Sequence, residues 1–368
     1  MDSFDVVIAG GAVMGSSIAW HLAALGEGRL RILVVEQDPS YQRSASALSA
    51  GSIRQQFSTA INIDISLHGI AFLRDIDRHL GLDGEKADVG LKEGGYLYLA
   101  TAMGEALMRE INALQNALGA DILLHDRAEL RARFPWLATD DLAAGTWGRS
   151  GEGWFDGYGL MQAFRRKARA LGVVYRQGKV TDVHCAGNRI ASVILADGRR
   201  IACGVLVNTC GASGARNLSA AMGFPIPVFA KKRSVFSFAC PADLPGFPLL
   251  IDTSGVWVRP EGRDFIAGYS PDDGDEVDHG ADFEVDWPLF EDHVWPALAA
   301  RVPAFEQLRP GRAWAGHYDM CLMDHNALVG RVPHLANGYL AAGFSGHGLQ
   351  QSPAVGRGIA ELILLGEY

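Results

Sequence analysis

The chain has 368 residues, 48% hydrophobic and 20% charged, with a formal net charge of −9 and a pI near 5.7. That length exceeds one typical core and points to two domains, while the acidic balance argues against a general nucleic-acid or anionic-membrane partner. No apolar run is long enough to span a bilayer, and the five cysteines (Cys185, Cys203, Cys210, Cys240, Cys321) form no C-x-x-C pair, which fits free thiols in a reducing compartment.

Val6-Val7-Ile8-Ala9 is a β-branched run too short for a helix and bounded by glycine, which predicts a buried parallel strand. It runs into Gly10-Gly11-Ala12-Val13-Met14-Gly15, then a helix-period segment over 16–25 with Ile18, Ala19, Leu22, Ala23 and Leu25 apolar. A second strand, Arg31-Ile32-Leu33-Val34-Val35, ends on Glu36 and Gln37. This order is the dinucleotide fingerprint in its required context. Gly10 allows the tight turn, the helix start at Val13 and Met14 offers N–H groups to a pyrophosphate, and Gly15 lets helix and strand approach. Glu36 stands where an acid accepts hydrogen bonds from a ribose, and Ala12 replaces the middle glycine. Because the first strand starts within five residues of Met1, no signal or transit peptide is expected, and the location is expected to be cytoplasmic.

Residues 44–52, from Ser44 through Ser49, Ala50 and Gly51, are small and aperiodic. Ile53-Arg54-Gln55-Gln56-Phe57 and a helical pattern through Leu80 follow at once, so a loop pinned against a ligand is predicted. A strand is expected over 94–100, and an amphipathic helix over 103–118 with Leu107, Ile111, Leu114 and Leu118 on one apolar stripe. The proline and glycines of 135–159 mark a crossing between domains. The helix expected over 159–171 carries Arg165, Arg166, Lys167 and Arg169 on a face read as solvated, and a short strand follows at 173–175. Apolar–polar alternation over 180–204 with an Asp197-Gly198 turn predicts an antiparallel meander. Val205-Leu206-Val207-Asn208 is a buried strand turning into a glycine-rich loop over 209–214 that includes Gly211. Aromatic and β-branched runs at 235–238, 255–258 and 265–267 predict a second, mostly antiparallel sheet, and the acidic stretch 272–286 reads as an exposed loop without function.

The C-terminal stretch repeats the opening theme: a strand ending at Gly343, a glycine-rich loop over 344–350 and a helix over 353–365. Two such elements at opposite ends of the chain imply one long ligand, a whole flavin dinucleotide, and no metal is expected.

Residues 5–15, Val207-Asn208-Thr209-Cys210-Gly211-Ala212 and Gly343-Phe344-Ser345-Gly346-His347-Gly348-Leu349-Gln350 resemble the D-amino-acid oxidase superfamily, which holds sarcosine oxidase, glycine oxidase and dimethylglycine dehydrogenase. Residues 53–57, Gly153-Trp154-Phe155-Asp156 and Trp314-Ala315-Gly316-His317-Tyr318-Asp319 are similar to its FAD-dependent oxidoreductase domain-containing group, whose mitochondrial member is linked to respiratory complex assembly. The resemblance implies an α/β fold. A Rossmann-like FAD-binding domain would take residues 1–90, 145–222 and 325–368, and an α+β substrate domain with a mostly antiparallel sheet would take 91–144 and 223–324. It implies oxidation of a carbon–nitrogen bond in an amino acid or secondary amine by hydride transfer to noncovalent FAD, giving an imine that water hydrolyses. An assembly factor with a structural flavin and a hydroxy-acid oxidoreductase are the alternatives.

By the same resemblance, Gly10, Ala12, Gly15 and Glu36 meet pyrophosphate and ribose, and Ser49, Ala50 and Gly51 pass the flavin phosphates. Val180 contacts adenine, and Gly346, His347, Gly348 and Leu349 cover the pyrimidine end. Gln350 stands where sarcosine oxidases carry a carboxylate-binding lysine, Ile266 where they carry an oxygen-activating lysine, and Leu48 near a covalent-flavin histidine. These departures imply a dehydrogenase that passes electrons to a quinone or flavoprotein. Another cation must then hold a substrate carboxylate. The candidates are Arg54, Lys232, Arg233 and Arg259, with Arg54 favoured because it follows the flavin loop directly; Trp257, Tyr318 and His347 are expected pocket walls.

Overall fold

A computed structural model describes residues 2–271 and 277–368. Its first eight-stranded sheet has the order Leu328–Arg331, Gly338–Ala342, Arg200–Asn208, Ser3–Ala9, Ile32–Glu36, Val174–Gln177, and the strands Val180–Ala186 and Arg189–Leu195 extend from Arg200–Asn208 as the expected meander. The central strands are parallel, with Val6, Val7 and Ile8 facing Val205, Leu206 and Val207 on one side and Ile32, Leu33 and Val34 on the other. Alternate residues enter two cores. Val6, Ile8 and Val34 join one with the helices Val13–Leu25, Gly157–Ala170 and Gly348–Leu364, whereas Val7, Leu33 and Val35 join another beneath the meander and helix Gly211–Ala221. A strand covered on both faces must be apolar throughout, which is why Val6-Val7-Ile8-Ala9 shows no alternation.

The second sheet also has eight strands, in the order Arg309–Cys321, Val228–Ala239, Asp264–Tyr269, Val256–Glu261, Leu249–Ile251, Tyr96–Ala100, Ala144–Gly148, Ile122–Asp126. It is antiparallel except where Leu249–Ile251 meets Tyr96–Ala100. Phe236, Phe238, Phe265 and Phe305 fill a core on one face. Cross-strand partners Val235, Gly268 and Trp257, then Ser237, Ile266 and Arg259, share the other face. The expected boundary at 144/145 falls inside this sheet, because Ala144–Gly148 pairs with both Tyr96–Ala100 and Ile122–Asp126.

Four local expectations are corrected. Helix Glu105–Ala117 does not bury its leucine stripe: Leu107 is 61% exposed, while Asn112 and Gln115 are buried and donate to the carbonyls of Ile122 and Phe57. The inner face serves backbone acceptors that an apolar stripe could not satisfy. The 209–214 loop is largely the first turn of helix Gly211–Ala221. The basic face of Gly157–Ala170 is not all solvated, since Arg165 lies 5.3 Å over the Tyr41 ring and Lys167 donates to the Gly81 carbonyl at 2.6 Å. The C-terminal helix, Gly348–Leu364, starts ahead of Pro353; the Leu349 carbonyl, which loses a backbone donor at the proline, instead accepts the Ser352 hydroxyl at 2.9 Å.

Of the acidic stretch, 272–276 lies outside the described residues, and 277–286 is a largely exposed loop, as expected, but a tethered one. Arg216 pairs with Asp278, Lys232 pairs with Asp282, and the His279 N–H donates to the Ala230 carbonyl at 2.8 Å. Among the described residues, no helix is long and apolar enough to cross a membrane.

Candidate functional site

Two chambers join end to end between the sheets. The larger is lined by Gly10, Ala12, Glu36, Gln37, Ser44, Val180, Thr209, Cys210 and Gly211. Gly10 has φ +99°, and a Cβ there would sit 2.4 Å from the Thr209 carbonyl oxygen. At Gly15 a Cβ would sit 1.9 Å from the Gly10 carbonyl oxygen, so Gly15 acts behind the cleft by admitting the helix to the strand. Glu36 accepts the N–H groups of Gly11 at 2.7 Å and Asp38 at 2.9 Å, which fixes its carboxylate at the rim; burial raises its proton affinity. Gln37 reaches across to Ser213 at 3.0 Å. The sequence reading missed the roof: Gly280, Ala281 and Phe283 line this chamber, and the Phe283 ring packs 4.2 Å from that of His317.

Ala12, Ala45, Thr209, Gly211 and His317 line both chambers. The second is walled by Val13, Met14, Leu48, Ser49, Ala50, Arg233, Trp257, Tyr318, Gly346, Gly348 and Leu349. The helix N-terminus of Val13–Leu25 therefore points at the junction, where its positive dipole end and the first-turn N–H groups other than that of Val13 suit a pyrophosphate. The 44–52 stretch is ordered by a one-turn helix, Ala45–Leu48, capped by Ser44, and Ser46 takes the Val13 N–H at 3.2 Å. Gly51, at φ +60°, contacts the Phe155 carbonyl and not the cleft, whereas Gly343, at φ +78°, gives its N–H to Asp319 at 2.8 Å. Asp319, buried in the wall and raised to about 6 by that burial, also takes the Ser345 N–H on its own carbonyl at 3.1 Å. It ties down a turn in which Ser345 itself has φ +52°.

Beside this chamber lies a polar cluster built on Arg54. Its guanidinium donates to the Gln56 carbonyl and, at 3.0 Å, to His347 Nε2, and it lies 3.9 Å over the Phe57 ring and 5.6 Å from Tyr98. Arginine only donates, so His347 Nε2 is the acceptor of a neutral imidazole. Burial first, and Arg54 second, pushes His347 down to about 3. Gln350 is 4% exposed and accepts the Arg54 backbone N–H at 2.8 Å, which commits it to positioning Arg54. Among the described residues, no carboxylate forms an ion pair with Arg54. The other cations are differently placed. Lys232 is paired with Asp282 on the roof, and Arg259 pairs with Glu261 and donates to the Ala50 carbonyl. Arg233 lines the chamber, 5.3 Å over the Tyr318 ring. The sequence also missed Glu152, which is fully buried behind Arg54; only its isolation among glycines distinguished it.

A family profile described as FAD dependent oxidoreductase matches residues 5–362. The chain belongs to that family. FAD-dependent oxidoreductase domain-containing protein 1 of Xenopus laevis is 42% identical over 402 aligned positions, covering 99% of this chain and 80% of that protein. The 4-methylaminobutanoate oxidase (formaldehyde-forming) of Paenarthrobacter nicotinovorans is 26% identical across 98% of this chain and 43% of its own length. Among solved structures, L-proline dehydrogenase from P. horikoshii superposes with a TM-score of 0.86 at 26% identity, over 100% of this chain and 95% of the other.

As a flavoprotein the molecule is internally consistent. The joined chambers offer a carboxylate at one end, a helix N-terminus in the middle and an apolar slot with Leu48, Trp257 and Leu349 at the other, a donor set that fits the adenosine, pyrophosphate and ring of FAD.

Proposed function

We propose that this FAD-dependent oxidoreductase oxidises the C–N bond of an amino acid or a secondary or N-methyl amine. The observation that carries this reading is the Arg54 cluster: a guanidinium that, among the described residues, forms no ion pair with a carboxylate and is held by Gln56 and neutral His347 beside the ring chamber. A planar fork in that position suits a substrate carboxylate bidentately. Bound FAD supplies the hydride acceptor. The protein's part is orientation: Arg54 anchors the carboxylate, while Trp257 and Tyr318 wall the space and limit water. Names among the relatives, an L-proline dehydrogenase and a 4-methylaminobutanoate oxidase, support the class of substrate. Leu48 lines the ring chamber and no cysteine does so, which supports noncovalent FAD.

A dehydrogenase using a quinone or flavoprotein is favoured over an oxidase. Oxygen reduction builds negative charge beside the flavin, and Ile266, 2% exposed on the chamber side of the sheet, offers it no cation. Five free cysteines suit a reducing compartment such as the cytoplasm. The test is anaerobic flavin bleaching with a panel of N-methyl amino acids, secondary amines, D- and L-amino acids and hydroxy acids, followed by admission of air or a quinone. Bleaching by a carboxylated amine, slow recovery in air and fast recovery with quinone are expected, with acid releasing the flavin. Bleaching by hydroxy acids alone, or by nothing in the panel, overturns the substrate class; rapid peroxide formation overturns the acceptor and points to Arg233 as the oxygen-side cation.

A further inference from the structure

Glu152 has no solvent exposure, yet it is surrounded by N–H donors aimed at its carboxylate. Oε1 accepts the backbone N–H groups of Gln55 at 2.5 Å and Gln56 at 3.1 Å, and Oε2 accepts the Gln56 side-chain amide at 2.8 Å. The other end of that amide accepts the Thr146 hydroxyl at 2.7 Å. Space for the carboxylate exists because residue 148 is glycine: a Cβ there would lie 1.8 Å from Glu152 Oε2. Burying a carboxylate costs free energy that three charge-assisted hydrogen bonds only partly offset, and a neutral side chain could brace a turn with less penalty. The turn it braces is the one that carries Arg54. Glu152 grips Gln56 by its N–H, and Gln56 grips the Arg54 guanidinium by its carbonyl.

We propose that Glu152 is a positioning residue that couples the affinity of Arg54 for a substrate carboxylate to its own charge. The proposal rests on the reading above that Arg54 receives such a carboxylate. Ionised, Glu152 accepts all three donors and holds the 55–56 turn. Protonated, one oxygen carries a hydrogen, a donor is displaced, and the Gln56 carbonyl no longer fixes Arg54. The charged and titratable groups facing it are Arg54 from its own turn, Tyr96 and Tyr98 from strand Tyr96–Ala100, and Glu93, which takes the Gly151 N–H; His347 faces the far side of Arg54. Burial raises both tyrosines, Arg74 holds Glu93 low, and His347 stays neutral, so none of these changes charge between pH 5 and 8. Glu152, raised to about 7 by burial, does. A bound anion opposes the ionised form by repulsion across Arg54, but that repulsion acts through an intervening cation whereas the three hydrogen bonds are direct. Affinity therefore rises with pH.

The test uses the FAD-loaded protein and methoxyacetate, an unreactive oxygen analogue of an N-methyl amino acid, with neutral methoxyacetamide as control; binding is read from the flavin absorption band between pH 5.5 and 8.5. In the wild type, methoxyacetate should tighten at least tenfold as pH rises through the Glu152 titration, and methoxyacetamide should show no pH dependence. Glu152→Gln should weaken methoxyacetate at pH 8, flatten its pH profile and leave methoxyacetamide unchanged. Gln56→Ala removes one donor to the ionised carboxylate, so the wild-type midpoint should move to higher pH; this variant keeps the test open if Glu152→Gln does not fold. Glu152→Gln with the wild-type profile, a midpoint unmoved by Gln56→Ala, or wild-type binding that tightens toward low pH overturns the positioning role. Methoxyacetate binding that Arg54→Met leaves intact, or no methoxyacetate binding by the wild type, overturns the Arg54 reading itself.

Discussion

Arg54 and Glu152 are the two side chains on which the proposed chemistry of this site turns. The Arg54 fork is oriented by two acceptors, a carbonyl and a neutral imidazole, and its backbone by Gln350. Arg54→Lys replaces a planar five-donor group by a compact ammonium that cannot reach both acceptors and a substrate together. The Michaelis constant for a carboxylated substrate should rise by roughly tenfold or more, with a smaller change in kcat, in steady-state assays with an artificial acceptor; an unchanged constant removes Arg54 from the site. Glu152 also leaves a mark on stability. Its folded-state value of about 7 lies above its ordinary value of 4.5, so between those pH values the native state holds a proton that the unfolded chain has lost. Stability is thus fully present below about 4.5 and falls as pH rises toward 7. Asp319, raised to about 6, acts in the same direction over a lower window. Glu152→Gln removes the larger slope, and in melting curves with saturating FAD it should gain about 1–3 kcal/mol on the wild type between pH 5 and pH 8. A wild-type melting temperature that climbs as steeply as the variant's across that range would contradict this.

At the scale of elements, the site depends on where helices begin. Helix Gly348–Leu364 presents its first turn to the ring chamber through Gly348 and Leu349, although Pro353 interrupts its hydrogen-bond ladder. Ser352, fully buried, supplies the missing donor to the Leu349 carbonyl, while its own carbonyl accepts the Ser17 hydroxyl at 2.7 Å and so ties this helix to Val13–Leu25. Ser352→Ala leaves a buried carbonyl unpaired and should cost about 1–2 kcal/mol. A lowered denaturation midpoint with an unchanged slope is the expected readout, and no shift would mean that water or backbone relaxation satisfies the carbonyl. The one-turn helix Ala45–Leu48 works similarly, because Ser44 caps it and its Ser46 then reaches the Val13 N–H.

Across the whole molecule, the second sheet does more than wall the ring chamber. The segment 277–286 leaves that sheet, reaches the first and roofs the larger chamber with Phe283, held between the His317 ring at 4.2 Å and the Arg43 guanidinium at 5.3 Å. Phe283→Ala should weaken FAD binding about fivefold, the loss of one aromatic contact of about 1 kcal/mol. Titrating apoprotein with FAD measures this, and an unchanged dissociation constant would reduce the segment to a bystander.

The strands and helices of the dinucleotide unit were legible because their causes are local: a β-branched run, a glycine turn and a 3.6-residue period all lie within residues 5–36. The second sheet was legible for the same reason, from aromatic and β-branched runs that alternate. Helix Glu105–Ala117 was found, but its buried face was misread, since whether a leucine or an asparagine turns inward depends on which carbonyls the neighbouring strand and turn leave open. Glu152 was invisible because its partners stand 96 and 97 residues away, and nothing near it in sequence needs a charge. The roof of the larger chamber was read as an exposed loop without function, since local composition cannot show that Arg216 and Lys232 wait across the fold to pair with it. The sequence by itself determined the strand–turn–helix–strand unit at the start of the chain, whose backbone geometry is written in adjacent residues. Only the tertiary structure decided which buried charges and side chains gather around Arg54, because long-range packing sets their environment.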